Sequence, residues 1–114
     1  MPLIYKICPE GLWREAEASG RFAGAAIDLS DGFIHFSTGA QLRETAEKHF
    51  AGQRDLLLIA VDDERLGEAL RYEPSRGGAL FPHLYAALDP RAVRWIVPLA
   101  AGPDGLHLIS EDIA

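Results

Sequence analysis

The chain has 114 residues, 48% of them hydrophobic and 25% charged, which suits one soluble domain with one buried core and excludes collagen, coiled coil and disorder. A formal net charge of −6 excludes a broad phosphate-contacting surface, while leaving room for a small anionic ligand held by one or two local cations. The one cysteine, Cys8, excludes an intramolecular disulfide and a cysteine zinc cluster.

The opening, "MPLIYKICPEG", lacks the apolar h-region of a signal peptide, and no later run reaches membrane-spanning length. A cytoplasmic protein without a membrane partner is expected. Residues 3–8, "LIYKIC", read as a first strand, with Lys6 on the side of Ile4 and Cys8. Cys8 is expected to be a buried, inert thiol. Residues 9–19, "PEGLWREAEAS", read as a helix with Pro9 and Glu10 in its first turn, Gly20 as its stop, and Leu12, Trp13 and Ala16 as an apolar stripe. Residues 21–30 read as a loop.

"DGFIHFST", 31–38, follows as a strand from about Gly32 to Ser37. Thr38 with Gln41 resembles a capping box opening a helix through "AQLRETAEKHF", with Leu42, Ala46, His49 and Phe50 on one side. "DLLLIAVD", 55–62, is a continuous apolar run, expected to be buried on both faces in mid-sheet. "ALRYE", 69–73, alternates as a strand does. Residues 74–90, with three prolines and the pair Gly77-Gly78, read as a loop with short extended pieces. "AVRWIVPLA", 92–100, reads as a late strand weakened at its end by Pro98. "GPDG" then signals a turn, with "LHLIS" as a final hairpin partner. Two helices come early and strands dominate late, so the class is α+β, one domain over 1–114 with its core in about 2–100 and a tail or hairpin in 101–114. No Gly-rich dinucleotide or P-loop fingerprint is present.

In a single strand, His35 and Ser37 share a face with Phe33, their Cβ atoms roughly 7 Å apart, so both would touch one ligand such as the two hydroxyls of a ribose. The bland alternative is a half-buried histidine bonded to a carbonyl and a serine leading into the helix. His83, in "FPHLY", and Tyr85 would line a pocket or stack in a loop core, and Gly78 permits close backbone approach. Glu73, near Arg76, would serve as a base or polarise a hydroxyl, or form a solvated ion pair. His49 and His107 read as packing or surface residues. His35, His83 and Glu73 would be the set to converge on a metal, but no helical ligand spacing supports one, and none is expected.

"LIYKI", "LWREAEASGRF", "DGFIHFST", "DLLLIAVD" and "GGALFPHLYAAL", in this order, resemble the small bacterial family labelled domain of unknown function 952. The front half also resembles, more distantly, the ADP-ribosyltransferase group and its RNA 2′-phosphotransferase branch, through Tyr5-Lys6 and Ile34-His35-Phe36-Ser37. That resemblance implies a split β-sheet whose cleft grips NAD or its ADP-ribose part, with His35 and Ser37 facing the cleft and Lys6 on a ribose or phosphate oxygen. It departs from the group where Lys6 replaces a first-strand histidine or arginine, and where no carboxylate lies between Val93 and Leu99. Glu73 is the nearest substitute. The expectation is therefore a nucleotide-like ligand held by Lys6, Ser37, Gly78, His83 and Tyr85. His35 and Glu73 are the candidate catalytic pair of an NAD-linked transferase or glycosidic-cleavage enzyme. The alternatives are a binding module that has lost catalysis and a protein-interaction domain with structural histidines.

Overall fold

The computed structural model describes residues 3–75, 78–100, 102, 107 and 109. Two antiparallel sheets organise it. The first has four strands in the order β3-β1-β4-β7, where β1 is Leu3–Pro9, β3 is Ser37–Thr38, β4 is Leu56–Asp62 and β7 is Val93–Leu99. The second has three strands in the order β2-β6-β5, where β2 is Ile34–His35, β5 is Leu70–Ser75 and β6 is Ala79–Leu84. The helices are α1 (Glu10–Ser19), α2 (Ala26–Asp31) and α3 (Leu42–His49). No helix among the described residues is long and apolar enough to cross a membrane.

Every residue of β4 is buried, as its unbroken apolar run requires. Its two faces feed two separate clusters. Leu57, Ile59 and Val61 join Ile4, Cys8, Trp13, Phe22 and Phe36 on one face. Leu56, Leu58 and Ala60 join Tyr5, Ile7, Leu42 and Ala46 on the other, where Trp95 also packs. α1 covers the first face with Trp13 and Ala16, and ends at Gly20, whose φ of +80° lets its N–H return to the Ala16 carbonyl at 2.9 Å. α3 covers the second face with Leu42 and Ala46. Burial is also what pushes the Cys8 thiol up to about 11, against the opposing Lys6 charge, so it is not a poised nucleophile.

Three expectations need correction. The stretch 21–30 is not all loop, because α2 adds a third early helix over Ala26–Asp31. The stretch 32–37 is not one strand. β2 pairs with β6 in the three-stranded sheet, β3 pairs with β1 in the four-stranded sheet, and Phe36 lies at the crossing. The stretch 74–90 holds a full strand, β6, which forms a hairpin with β5. Pro82 is tolerated there because its carbonyl points to the crossing, accepting from Phe36 N–H at 3.0 Å. Its nitrogen faces the same way, and the β5 ladder loses no donor. Pro98 sits on β7, an edge strand, where a missing donor costs least. The expected 101–114 hairpin falls mostly outside the described residues. Within it, His107 Nε2 lies 3.0 Å from the Gln53 carbonyl and Ile109 packs on the α3 face.

Candidate functional site

β3 pairs with β1 only at Ile4 and Tyr5. Beyond Tyr5 that edge of β1 has no strand beside it among the described residues, and a cleft of about 410 Å³ opens there. β1 contributes Tyr5, Lys6 and Ile7, and the crossing stretch contributes His35, Phe36 and Ser37. α2 supplies Ile27 and Asp31. Leu42, Thr45, His49 and Phe50 come from the α3 side, and Ser75 from the end of β5. Three of the residues singled out in the sequence, Lys6, His35 and Ser37, thus line one cleft, although His35 and Ser37 belong to different sheets.

Two of these residues, Lys6 and His35, are held by Asp28, which does not itself line the cleft and which the sequence does not single out. Its carboxylate is buried and takes four donors. Lys6 Nζ lies 2.9 Å from Oδ2 and 3.1 Å from Oδ1, and His35 Nδ1 lies 2.6 Å from Oδ1. The backbone N–H groups of His35 and Ala25 donate at 3.0 and 2.8 Å. The Ala25 bond is half of a capping box at the start of α2; the alanine methyl has no acceptor to return the other half. Burial alone would raise the Asp28 carboxyl, but the His35 hydrogen bond and the Lys6 ammonium outweigh it and hold the group well below the usual carboxylate range. Gly24 makes the arrangement possible: its φ is +118°, and a Cβ there would stand 2.6 Å from Asp28 Cβ.

His35 is therefore fixed on both sides. Asp28 holds Nδ1, and Asp31, one helical turn further along α2, meets Nε2 at 2.9 Å. Asp31 keeps a side chain 44% exposed, so it is the carboxylate that opens toward solvent. Ser37 is engaged differently. The Thr45 hydroxyl donates to the Gln41 carbonyl at 3.1 Å, so across the 2.8 Å contact Ser37 donates to Thr45 and keeps its own lone pairs for a ligand donor.

The remaining candidates form a neighbouring cluster. His83 stands opposite His35 in the β2–β6 register, with ring centroids 5.5 Å apart. Glu73 Oε1 lies 2.9 Å from His83 Nδ1 and accepts the Tyr85 hydroxyl at 2.6 Å. Phe33 packs against His35, His83 and Tyr85, at 4.6, 4.1 and 5.2 Å between ring centres. Glu73, His83 and Tyr85 do not line the 410 Å³ cleft. Gly78 lies in the β5–β6 turn, with φ +95° and its N–H on the Ser75 carbonyl at 3.1 Å, and Arg76 falls outside the described residues. Among the described residues, no three His, Cys, Asp or Glu side chains are grouped to hold a metal ion. Asp28 and Asp31 were detectable in principle. They stand three apart, and Asp31 stands four before His35, spacings that share one side of a helix and its exit once 26–31 is read as helical.

The family described as "Protein of unknown function (DUF952)" matches residues 7–96. The chain belongs to this family. Among solved structures, the DUF952 chain is similar to the X-ray structure of protein CC0527 from Caulobacter crescentus, at 52% identity over 93% of each chain with a TM-score of 0.91. The solution NMR structure of CC0527 gives 53% identity over 93% of this chain and 91% of that one, with a TM-score of 0.84. No curated protein matches the chain.

Proposed function

We propose that this DUF952 protein binds NAD or an ADP-ribose-like nucleotide in the cleft between its two sheets, as the likeness of its front half to the ADP-ribosyltransferase group implies. One observation carries the reading: Lys6, His35 and Ser37, the residues on which that likeness rests, line a single cleft at the split. Ser37 offers an acceptor, and Lys6 and the His35 ring, both anchored on Asp28, form a pre-set wall, so little ordering is required on binding.

Binding without bond cleavage is the better-supported form. β7, Val93–Leu99, carries no carboxylate. Glu73 is occupied by Tyr85 and His83 away from the cleft lining. An oxocarbenium-like centre in the cleft would therefore lack the Glu73 charge that the sequence suggested for it.

The test is an amide chemical-shift titration with NAD, ADP-ribose and nicotinamide. Saturable shifts at Lys6, His35 and Ser37 are expected, with no nicotinamide released. A folded His35→Ala variant, which removes the ring wall and frees Asp28 and Asp31 from its two nitrogens, should bind about tenfold more weakly. Silence of those residues at millimolar ligand would overturn the reading. Nicotinamide release would overturn only its non-catalytic part and direct attention to Asp31.

A further inference from the structure

The charges around the cleft restrict what part of such a ligand it can hold. Among the described residues lining it, Lys6 is the only lysine or arginine. Its ammonium is already matched by both oxygens of a buried carboxylate, at 2.9 and 3.1 Å. A phosphate approaching Lys6 would compete with Asp28, whose position is fixed by two further backbone N–H groups and the His35 ring. Asp31, half-exposed and 2.9 Å from His35 Nε2, adds a second carboxylate at the rim, so the cleft offers no surplus of positive charge to an anion. Sites that hold a pyrophosphate need the reverse, a surplus of cations or converging free N–H groups.

The rest of the lining suits a sugar and a flat ring. Ser37, Thr45 and Ser75 supply hydroxyls, and Tyr5, Phe36 and Phe50 supply aromatic surface. The volume of about 410 Å³ lies low in the range of small-molecule sites, about 300–1,000 Å³, which suits one ring and its ribose rather than a whole dinucleotide. We infer that the cleft selects a nucleoside unit, neutral or cationic, and leaves any phosphate groups outside in solvent. This rests on the nucleotide reading above and narrows it to the base-and-sugar end.

Affinities for nicotinamide riboside, nicotinamide mononucleotide, NAD, ADP-ribose and adenosine, measured on the intact chain at low and physiological salt, separate the possibilities. The riboside should bind, and the mononucleotide and NAD should bind no more than about threefold tighter than it, with little change as salt rises. Asp31→Asn should weaken the cationic riboside more than neutral adenosine, because Asp31 is exposed enough to be changed without emptying the core. NAD or ADP-ribose binding tenfold or more tighter than the riboside, with affinity falling steeply in salt, would overturn the inference and leave the nucleotide reading standing. No binding by any of the five would overturn both.

Discussion

Two histidine–carboxylate pairs stand side by side in this protein, built from the same groups with different consequences. His35 and His83 are register partners, and each presents Nδ1 to a carboxylate, Asp28 at 2.6 Å and Glu73 at 2.9 Å. The Asp28 side chain is 0% exposed, whereas that of Glu73 is 33% exposed. Asp28 must remain ionised beside a buried ammonium, so its partners act as a unit that can hardly be taken apart. Glu73 has water available, and the hydrogen bonds of Tyr85 and His83 hold its carboxyl below its ordinary value, while water screens and can replace those partners. Solvent access rather than residue identity separates a structural pair from a soft one.

The sharpest way to break the comparison is to remove one partner of the buried pair. Asp28→Asn leaves the Lys6 ammonium uncompensated, and should cost about 3–5 kcal/mol in urea denaturation. The double change Lys6→Met with Asp28→Asn should recover part of that loss, because no orphan charge remains. Next in size is Gly24→Ala, which meets Asp28 Cβ at 2.6 Å and adopts φ +118°; about 1–3 kcal/mol is expected for such a strained backbone.

Acidification should act on the same pair. The folded Asp28 carboxyl lies below its ordinary value of 3.8, so the folded state binds fewer protons than the unfolded state. Its stabilisation is complete above that value and is lost as pH falls below it. Urea midpoints taken from about pH 5 to about pH 3 should therefore drop more steeply for the unmodified chain than for the double variant. The smallest effect is expected at the solvated pair. Glu73→Gln should shift the urea midpoint less than any of these changes. It should also return the Tyr85 phenol, raised by its hydrogen bond to Glu73, toward its ordinary titration range, as read by carbon NMR. A Glu73→Gln loss equal to that of Asp28→Asn would remove the distinction.

The same contrast explains what the sequence could reveal. β1, α1, β4 and β7 were legible because each combines a long periodic or unbroken apolar run with local punctuation, such as Gly20 after α1. α2 was not, because "AIDLSD" is only six residues long and its start has no side-chain cap on Ala25. The split of 32–37 was hidden because alternation looks the same in a straight strand and in one that changes sheets at Phe36. β6 was hidden by Pro82, whose direction within the ladder depends on a partner strand. Of the site, Lys6, His35 and Ser37 stood out as polar groups within apolar runs. Asp28 did not, since its burial is a product of the tertiary structure and a short acidic stretch ordinarily reads as solvated.

The four-stranded sheet has a hydrophobic cluster on each face, and each cluster holds one of the chain's two tryptophans. Trp13 is fully buried, with no hydrogen-bond partner for its Nε1 among the described residues, while Trp95 is partly open and packs 5.8 Å from the Tyr5 ring. The molecule therefore carries an optical reporter in each layer, and the emission of Trp13 belongs at the blue end and that of Trp95 further to the red. With Trp95→Phe and Trp13→Phe as single-reporter chains, fluorescence distinguishes a molecule whose two layers melt as one cooperative unit from one that sheds a layer first.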